Sequence, residues 1–359
     1  SLRENGLHQV VNELLDFNGA DIYVRPRGET QGVSFADSVT RFEASRVIGV
    51  IGPAGEISLN PAPETQIEPG DSLIVIADDN APPELAAHHA VPATLPPTSG
   101  PSIGPSNDQE HHLIIGWNAL GEQLVSEVAG RATPGSSVEI VYDPKIFDPD
   151  EIVIPSDTPL QLTMTPSRTP TWRWKDPASA PRYESIVLLG YRRSLSVDEA
   201  DSRTLLNLLM LHRQLGASGQ SRPRLIVELL DPENVDLVKP GSADDIISSD
   251  AIISRLVAQL ADQPARRAIL LELYAPGGPS IHVVSAESLG LDGEMTFGQV
   301  VAAAQRTRLL AIGWFRGAAD GRRLTLNPAC SDIVTVGLDD QIVVIGDLVH
   351  TRPGPDPAR

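Results

Sequence analysis

A chain of 359 residues that is 41% hydrophobic has enough apolar side chains for two or three cores. Its 28 Lys and Arg against 47 Asp and Glu leave a net charge of -19, a field that repels phosphate backbones and anionic lipid, so nucleic acid is not an expected partner and cations are. A single cysteine, Cys330, excludes an internal disulfide and a cysteine-based zinc site, and it reads as an incidental small residue in a loop.

The chain opens on "SLRENGLHQVVNELLDF", where Leu7, Val10, Val11, Leu14, Leu15 and Phe17 keep helical spacing. It has no initiator Met, no apolar signal core and no run of 18 apolar residues, so the expectation is a fragment without a membrane span. From Gly19 to Asp79 the pattern predicts a strand ("ADIYVR"), a short helix ("SFADSVTRF") and two strands ("VIGVI", "SLIVIAD"). Proline and small residues from Ala81 to Gln109 make a linker. His88-His89 and His111-His112 lie in or beside it, and adjacent histidines in extended chain point to opposite sides, so neither pair is expected to hold a metal.

The middle of the chain alternates. "HLIIGWNALGEQLVSEVAG" gives a buried strand, a glycine turn and a helix, and "SSVEIVYD" and "SIVLLGYR" are further strands. "DEADSRTLLNLLMLHRQL" is a long helix with acids in its first turn, where they suit the helix dipole. "PRLIVELLD" is a strand, and "DDIISSDAIISRLVAQLA" is a short strand running into a helix. Apolar strands alternating with helices predict a Rossmann-like, doubly wound parallel sheet. The last block repeats the first, with "SIHVVS", a helix "TFGQVVAAAQ" capped by Thr296, "LLAIGWF" and "QIVVIGD". "SLNPAPETQIEPGDSLIVIAD" (58–78) and "TLNPACSDIVTVGLDDQIVVIGD" (325–347) share Leu-Asn-Pro, a polar stretch, a turn and a closing strand. The fold class is therefore α/β, with one Rossmann-like domain and two small β-α-β-β domains.

Candidate chemistry centres on two places. The turn Gly116-Trp117-Asn118-Ala119-Leu120-Gly121 keeps the first and third glycines of a dinucleotide fingerprint, but Asn118 stands where pyrophosphate needs a bare backbone, and Asp143 stands about where an acid would take a ribose hydroxyl. NAD is not expected to bind. The loop "YDPKIFDPDE" gathers Asp143, Asp148, Asp150 and Glu151, oxygen ligands suited to calcium, without the spacing or glycine of an EF-hand. Trp172 and Trp174 read as local packing, as does His212, and no catalytic motif is present.

A Rossmann-like lobe with an altered glycine turn followed by a β-α-β-β lobe resembles the RCK (regulator of potassium conductance, TrkA-type) unit. More narrowly, "NELLDFNGADIYVRP", "LIIGWN", "DSRTLLNLLML", "IVELLDPEN" and "IISSDAIISRLVAQLA", in that order, are similar to the cytosolic region of the CASTOR/POLLUX family of ion channels. The resemblance implies the end of a truncated first Rossmann lobe (1–18), a first C-lobe (19–80), a linker (81–110), a second Rossmann-like lobe (111–268), a second C-lobe (269–350) and a tail (351–359). It also implies no catalysis, a gating ring on the cytoplasmic side of a membrane, a homotetramer in the full channel, pore-forming transmembrane segments of the same chain as partners, and calcium as ligand. The alternatives are a nucleotide-binding regulatory subunit of a potassium transport system and an NAD-linked oxidoreductase; the second would need a base and a substrate pocket that the sequence does not offer.

Overall fold

The computed structural model of the protein describes residues 6–16, 19–26, 32–78, 109–149, 158–167, 182–218, 222–239, 241–262, 266–273, 278–317, 323–337 and 340–347. His88, His89, Asp150, Glu151, Trp172 and Trp174 lie outside them. The chain divides into two compact units, Pro105–Ser254 and the flanking stretches Arg3–Gly104 with Arg255–Arg359. Among the described residues no helix is long and apolar enough to cross a membrane.

The flanking unit contains the two repeats. In the first, β1 (Ala20–Pro26), β4 (Ser72–Asp78), β2 (Ser45–Ile51) and β3 (Ile57–Leu59) form an antiparallel sheet in the order β1-β4-β2-β3. In the second, β11 (Ser280–Ser285), β16 (Gln341–Gly346), β13 (Leu310–Arg316) and β14 (Arg323–Leu326) repeat that order, beside a small pair of β12 (Gly293–Thr296) and β15 (Ile333–Val336). Each sheet carries one helix, α2 (Phe35–Val39) or α7 (Phe297–Gln305), and each helix is N-capped by a hydroxyl, Ser34 or Thr296. Such a cap satisfies a backbone N–H that the helix itself cannot, for about 1 kcal/mol.

The repeats share several bonds and irregularities at equivalent places. The ladders bulge at equivalent places, between Val47 and Gly49 and between Ala311 and Gly313. Both glycines are required by close approach: a Cβ would stand 2.5 Å from Ser58 O at the first and 2.6 Å from Thr325 O at the second. The Phe35 N–H donates to Thr65 O at 2.7 Å and the Phe297 N–H to Asp332 O at 2.9 Å, tying each helix start to the loop after Leu-Asn-Pro.

That tripeptide makes a reciprocal clasp. Asn60 (φ 41°) and Asn327 (φ 46°) are both left-handed, a conformation asparagine tolerates better than most side-chain-bearing residues. Asn60 Nδ2 donates to Arg308 O at 2.9 Å and to Ile345 O at 3.2 Å in the second lobe, and Asn327 Nδ2 donates to Ala44 O at 2.8 Å in the first. Ala44 and Arg308 precede their bulge glycines, Gly49 and Gly313, by the same interval, so the two clasps exchange equivalent partners. Apolar residues of both lobes share one core.

Cys330 is not incidental. It is buried in this seam, and its Sγ accepts from the fully buried Arg46 Nη1 at 3.1 Å, while Arg46 also donates to Val39 O and Pro328 O and lies over the Phe297 ring. Helices α1 (Leu7–Leu14) and α6 (Arg266–Leu273) cover the pair. The first packs on β1, β11 and β14, the second on β1 and β3. A buried ion pair at 2.7 Å joins Arg266 to Asp21 of β1; burial pushes the Asp21 carboxyl up, and Arg266 offsets only part of that.

In the other unit β10 (Asp245–Ser248), β9 (Arg224–Leu229), β8 (Ser185–Leu188), β5 (His111–Ile115), β6 (Ser137–Tyr142) and β7 (Gln161–Pro166) form a wholly parallel sheet in that order. Alternate residues bury opposite faces: Ile114, Ile140 and Val187 with Val125 and Val128 of α3 (Ala119–Arg131), and Leu113, Val141 and Ile186 with Leu208 and Leu211 of α4 (Val197–Ser218). The sequence reading missed β7, whose polar composition suits its place at the sheet edge. It also missed the short strands β3, β12, β14 and β15.

Replacing Asn327 by Ala removes the clasp and leaves a left-handed alanine, which should cost about 1–3 kcal/mol. Asn327→Ala and Asn60→Ala should each lower the thermal midpoint by several degrees. Unchanged midpoints in both would show that the clasp contributes nothing to the pairing.

Candidate functional site

In an open parallel sheet, ligands sit beyond the carboxyl ends of the strands where the strand order reverses, here between β5 and β8. Gly116 leaves β5 with φ 88°, and a Cβ there would lie 2.0 Å from Leu189 O, so only glycine fits. Gly121 packs α3 against the buried Trp117, whose ring would stand 2.7 Å from a Cβ at that position. Asn118 takes the N-cap of α3: its Oδ1 accepts from the Leu120 N–H at 2.9 Å, and its Nδ2 donates to Gly190 O at 2.8 Å and to Glu228 Oε2 at 2.7 Å. The amide thus caps with its own oxygen the helix end that binds pyrophosphate in dinucleotide folds.

Asp143 directly follows β6 and is buried. Its Oδ2 accepts from Arg203 Nη1 at 2.8 Å and its Oδ1 from the Lys145 N–H at 3.0 Å, while its own N–H donates to the Tyr191 hydroxyl at 2.8 Å. The acid that could have met a ribose is occupied by α4. Between Gly116, Asp143, Ser167, Tyr191, Arg203 and Asn207 remains a cavity of about 20 Å³, room for one water. Burial pushes the Tyr191 hydroxyl up to about 12, so it stays neutral. Burial alone would also raise the Asp143 carboxyl, but the Arg203 guanidinium and the Lys145 amide outweigh it and hold the group below the ordinary range.

The expected calcium ligands separate into an internal and an exposed part: Asp143 is turned to Arg203, whereas Asp148 is exposed. Among the described residues no group of three or more His, Cys, Asp or Glu stands together as a metal set. His111 and His112 reach opposite neighbours in the sheet, Ser137 on β6 and Ser185 on β8, each at 2.8 Å. His212 of α4 is hydrogen-bonded to Ser242 O. Sequence reasoning missed Glu228, Arg192, Tyr191 and Arg203. For Glu228 a signal existed: a carboxylate inside the apolar strand "LIVELL" must have partners to be buried.

The sequence is similar to ion channels along nearly its whole length. A family model described as "Castor and Pollux, part of voltage-gated ion channel" matches residues 1–91. The ion channel CASTOR of Lotus japonicus is 24% identical over 91% of the chain, and the probable ion channel POLLUX of Oryza sativa subsp. japonica is 25% identical over 95%. By these matches the chain resembles the CASTOR/POLLUX family of ion channels. It spans 42% and 38% of the length of those two relatives, about two fifths. The human SLO3 gating ring shares the fold, with a TM-score of 0.58 and 12% identity over 96% of this chain and 69% of that one. The chain therefore shares its fold with that structure, and its switch point is filled by its own side chains.

Two outcomes test the site. Gly121→Val should destabilise the ligand-free protein by about 1–3 kcal/mol through collision with Trp117, and an unchanged melting curve would mean the turn is misread. Because the folded Asp143 pKa lies below the unfolded value, its contribution is present above pH about 4 and is lost as pH falls through the folded pKa. Arg203→Met should make the acid limb of the stability–pH curve shallower; an unchanged limb would show that the pair does not contribute.

Proposed function

We propose that this region is the cytosolic, ligand-sensing gating-ring part of a cation channel subunit, which couples ion binding to the opening of a pore formed by transmembrane segments of the full-length protein. The observation that carries this reading is that one chain contains a pair of matched β-α-β-β lobes and a Rossmann-like lobe, in a sequence similar to ion channels over nine tenths of its length. The mechanism is linkage: an ion that binds one ring geometry more tightly shifts the population of open pores by that difference in affinity.

Assembly with further copies has a surface to use. On α4, Leu206, Leu209 and Met210 share one face by their spacing and are exposed, Leu209 at 65%. In this reading the face meets another copy of the chain, and the full channel is a homotetramer. Calcium is the proposed ligand, with Asp143, Asp148, Asp150 and Glu151 as the first set to test. A dinucleotide is not part of the reading, since Asn118 caps α3 and Arg203 holds Asp143.

Calorimetric titration of the purified chain with calcium, with magnesium as control, should give saturable and selective heat. Joint Asp148→Asn and Asp150→Asn substitution should weaken binding at least tenfold; unchanged affinity would remove that loop. In the full-length channel recorded in bilayers, Leu209→Glu should abolish the ligand dependence of open probability and shift the ring toward smaller assemblies in sedimentation. Intact ligand response and assembly would overturn the reading of that face.

A further inference from the structure

The buried carboxylate of Glu228, 2% exposed at the end of β9, lies between two structures that the gating reading needs to connect. Its Oε2 accepts from Asn118 Nδ2 in the switch-point turn at 2.7 Å and from the Gly190 N–H, just after β8, at 3.2 Å. Its Oε1 accepts from Ser249 Oγ at 3.0 Å and from Arg192 Nε at 2.9 Å. Ser249 opens α5 (Ser249–Asp262), and Arg192 Nη1 donates onward to Asp250 of the same first turn at 3.1 Å. One oxygen thus serves the turn and the other the helix.

Helix α5 begins in the Rossmann-like unit and ends in the unit of paired lobes. Near its far end, Leu256 and Leu260 pack into the shared core of the lobes, and Gln259 is hydrogen-bonded to Arg266.

We propose that Glu228 is a positioning residue that couples the switch-point turn to the first turn of α5, transmitting displacement of the turn to the connecting helix. The geometry requires it to remain an acceptor on both oxygens. A glutamine offers only one carbonyl oxygen, so it can serve one side and must repel the donors of the other. Use of this coupling in gating rests on the channel reading above. The coupling itself does not, and hydrogen exchange measures the coupling alone.

The test compares amide exchange in the full 359-residue chain and its variants. Asn118→Ala, although placed on the turn, should speed exchange of the amides from Ile253 to Val257 in α5 at least fivefold. Ser249→Ala should do the same for Gln123 to Glu127 in α3. In a Glu228→Gln background, adding Asn118→Ala should no longer alter α5. Amides of β13, in the other unit, should be unaffected throughout. Changes confined to the neighbourhood of each substitution, or acceleration spread evenly over the sheet, would overturn the proposal. The two single variants decide it alone if the Glu228 variant does not fold.

Discussion

Two asparagines in left-handed conformation, each reaching across to the backbone of the other repeat, set the geometry from which the rest of the paired lobes follows. Each amide does two things at once. It ends its own hairpin in a conformation few side chains tolerate, and it donates to a backbone carbonyl of the other repeat. Since Ala44 and Arg308 are equivalent, the same sequence device serves both halves of a pseudo-symmetric seam. A duplicated lobe can therefore bury its apolar face against its twin, and one core results where two small sheets alone would be marginal. Arg46 breaks the symmetry: its buried guanidinium occupies the second lobe's loop through Cys330 and Pro328, whereas the equivalent position in the second repeat is Leu310.

The Rossmann-like unit shows a related economy of polar groups. Where a dinucleotide fold keeps an open helix end and a free acid, this one satisfies both internally, with Asn118 capping α3 and Arg203 holding Asp143. A polar group satisfied in this way is costly to expose without a replacement partner. Glu228 fits that pattern, as a carboxylate whose every bond links elements and whose burial is tolerable only while all of them hold.

Much of this was legible in the residues. Apolar runs such as "HLIIG" and "RLIVELL" specify strands buried on both faces, helical spacing specifies α3, α4 and α5, and the repeated Leu-Asn-Pro with its following strand announces the duplication. These signals are local: they depend on period, caps and glycines that no other residue can replace, as at Gly116 and Gly121. What the sequence could not fix is which distant groups meet. Nothing local says that Arg203 is spent on Asp143, that Cys330 lies under Arg46, or that Glu228 joins Asn118 to Ser249, because those partners are separated by up to 284 positions and are brought together only by strand order. The edge strand β7 escaped for a complementary reason, since a polar strand has no burial pattern until a neighbour gives it a ladder. Sequence alone thus determined the buried strands, the long helices and the repeat, and tertiary structure decided the edge strands and how polar groups were paired, because a ladder and a buried polar group's partner are matters of distance in space.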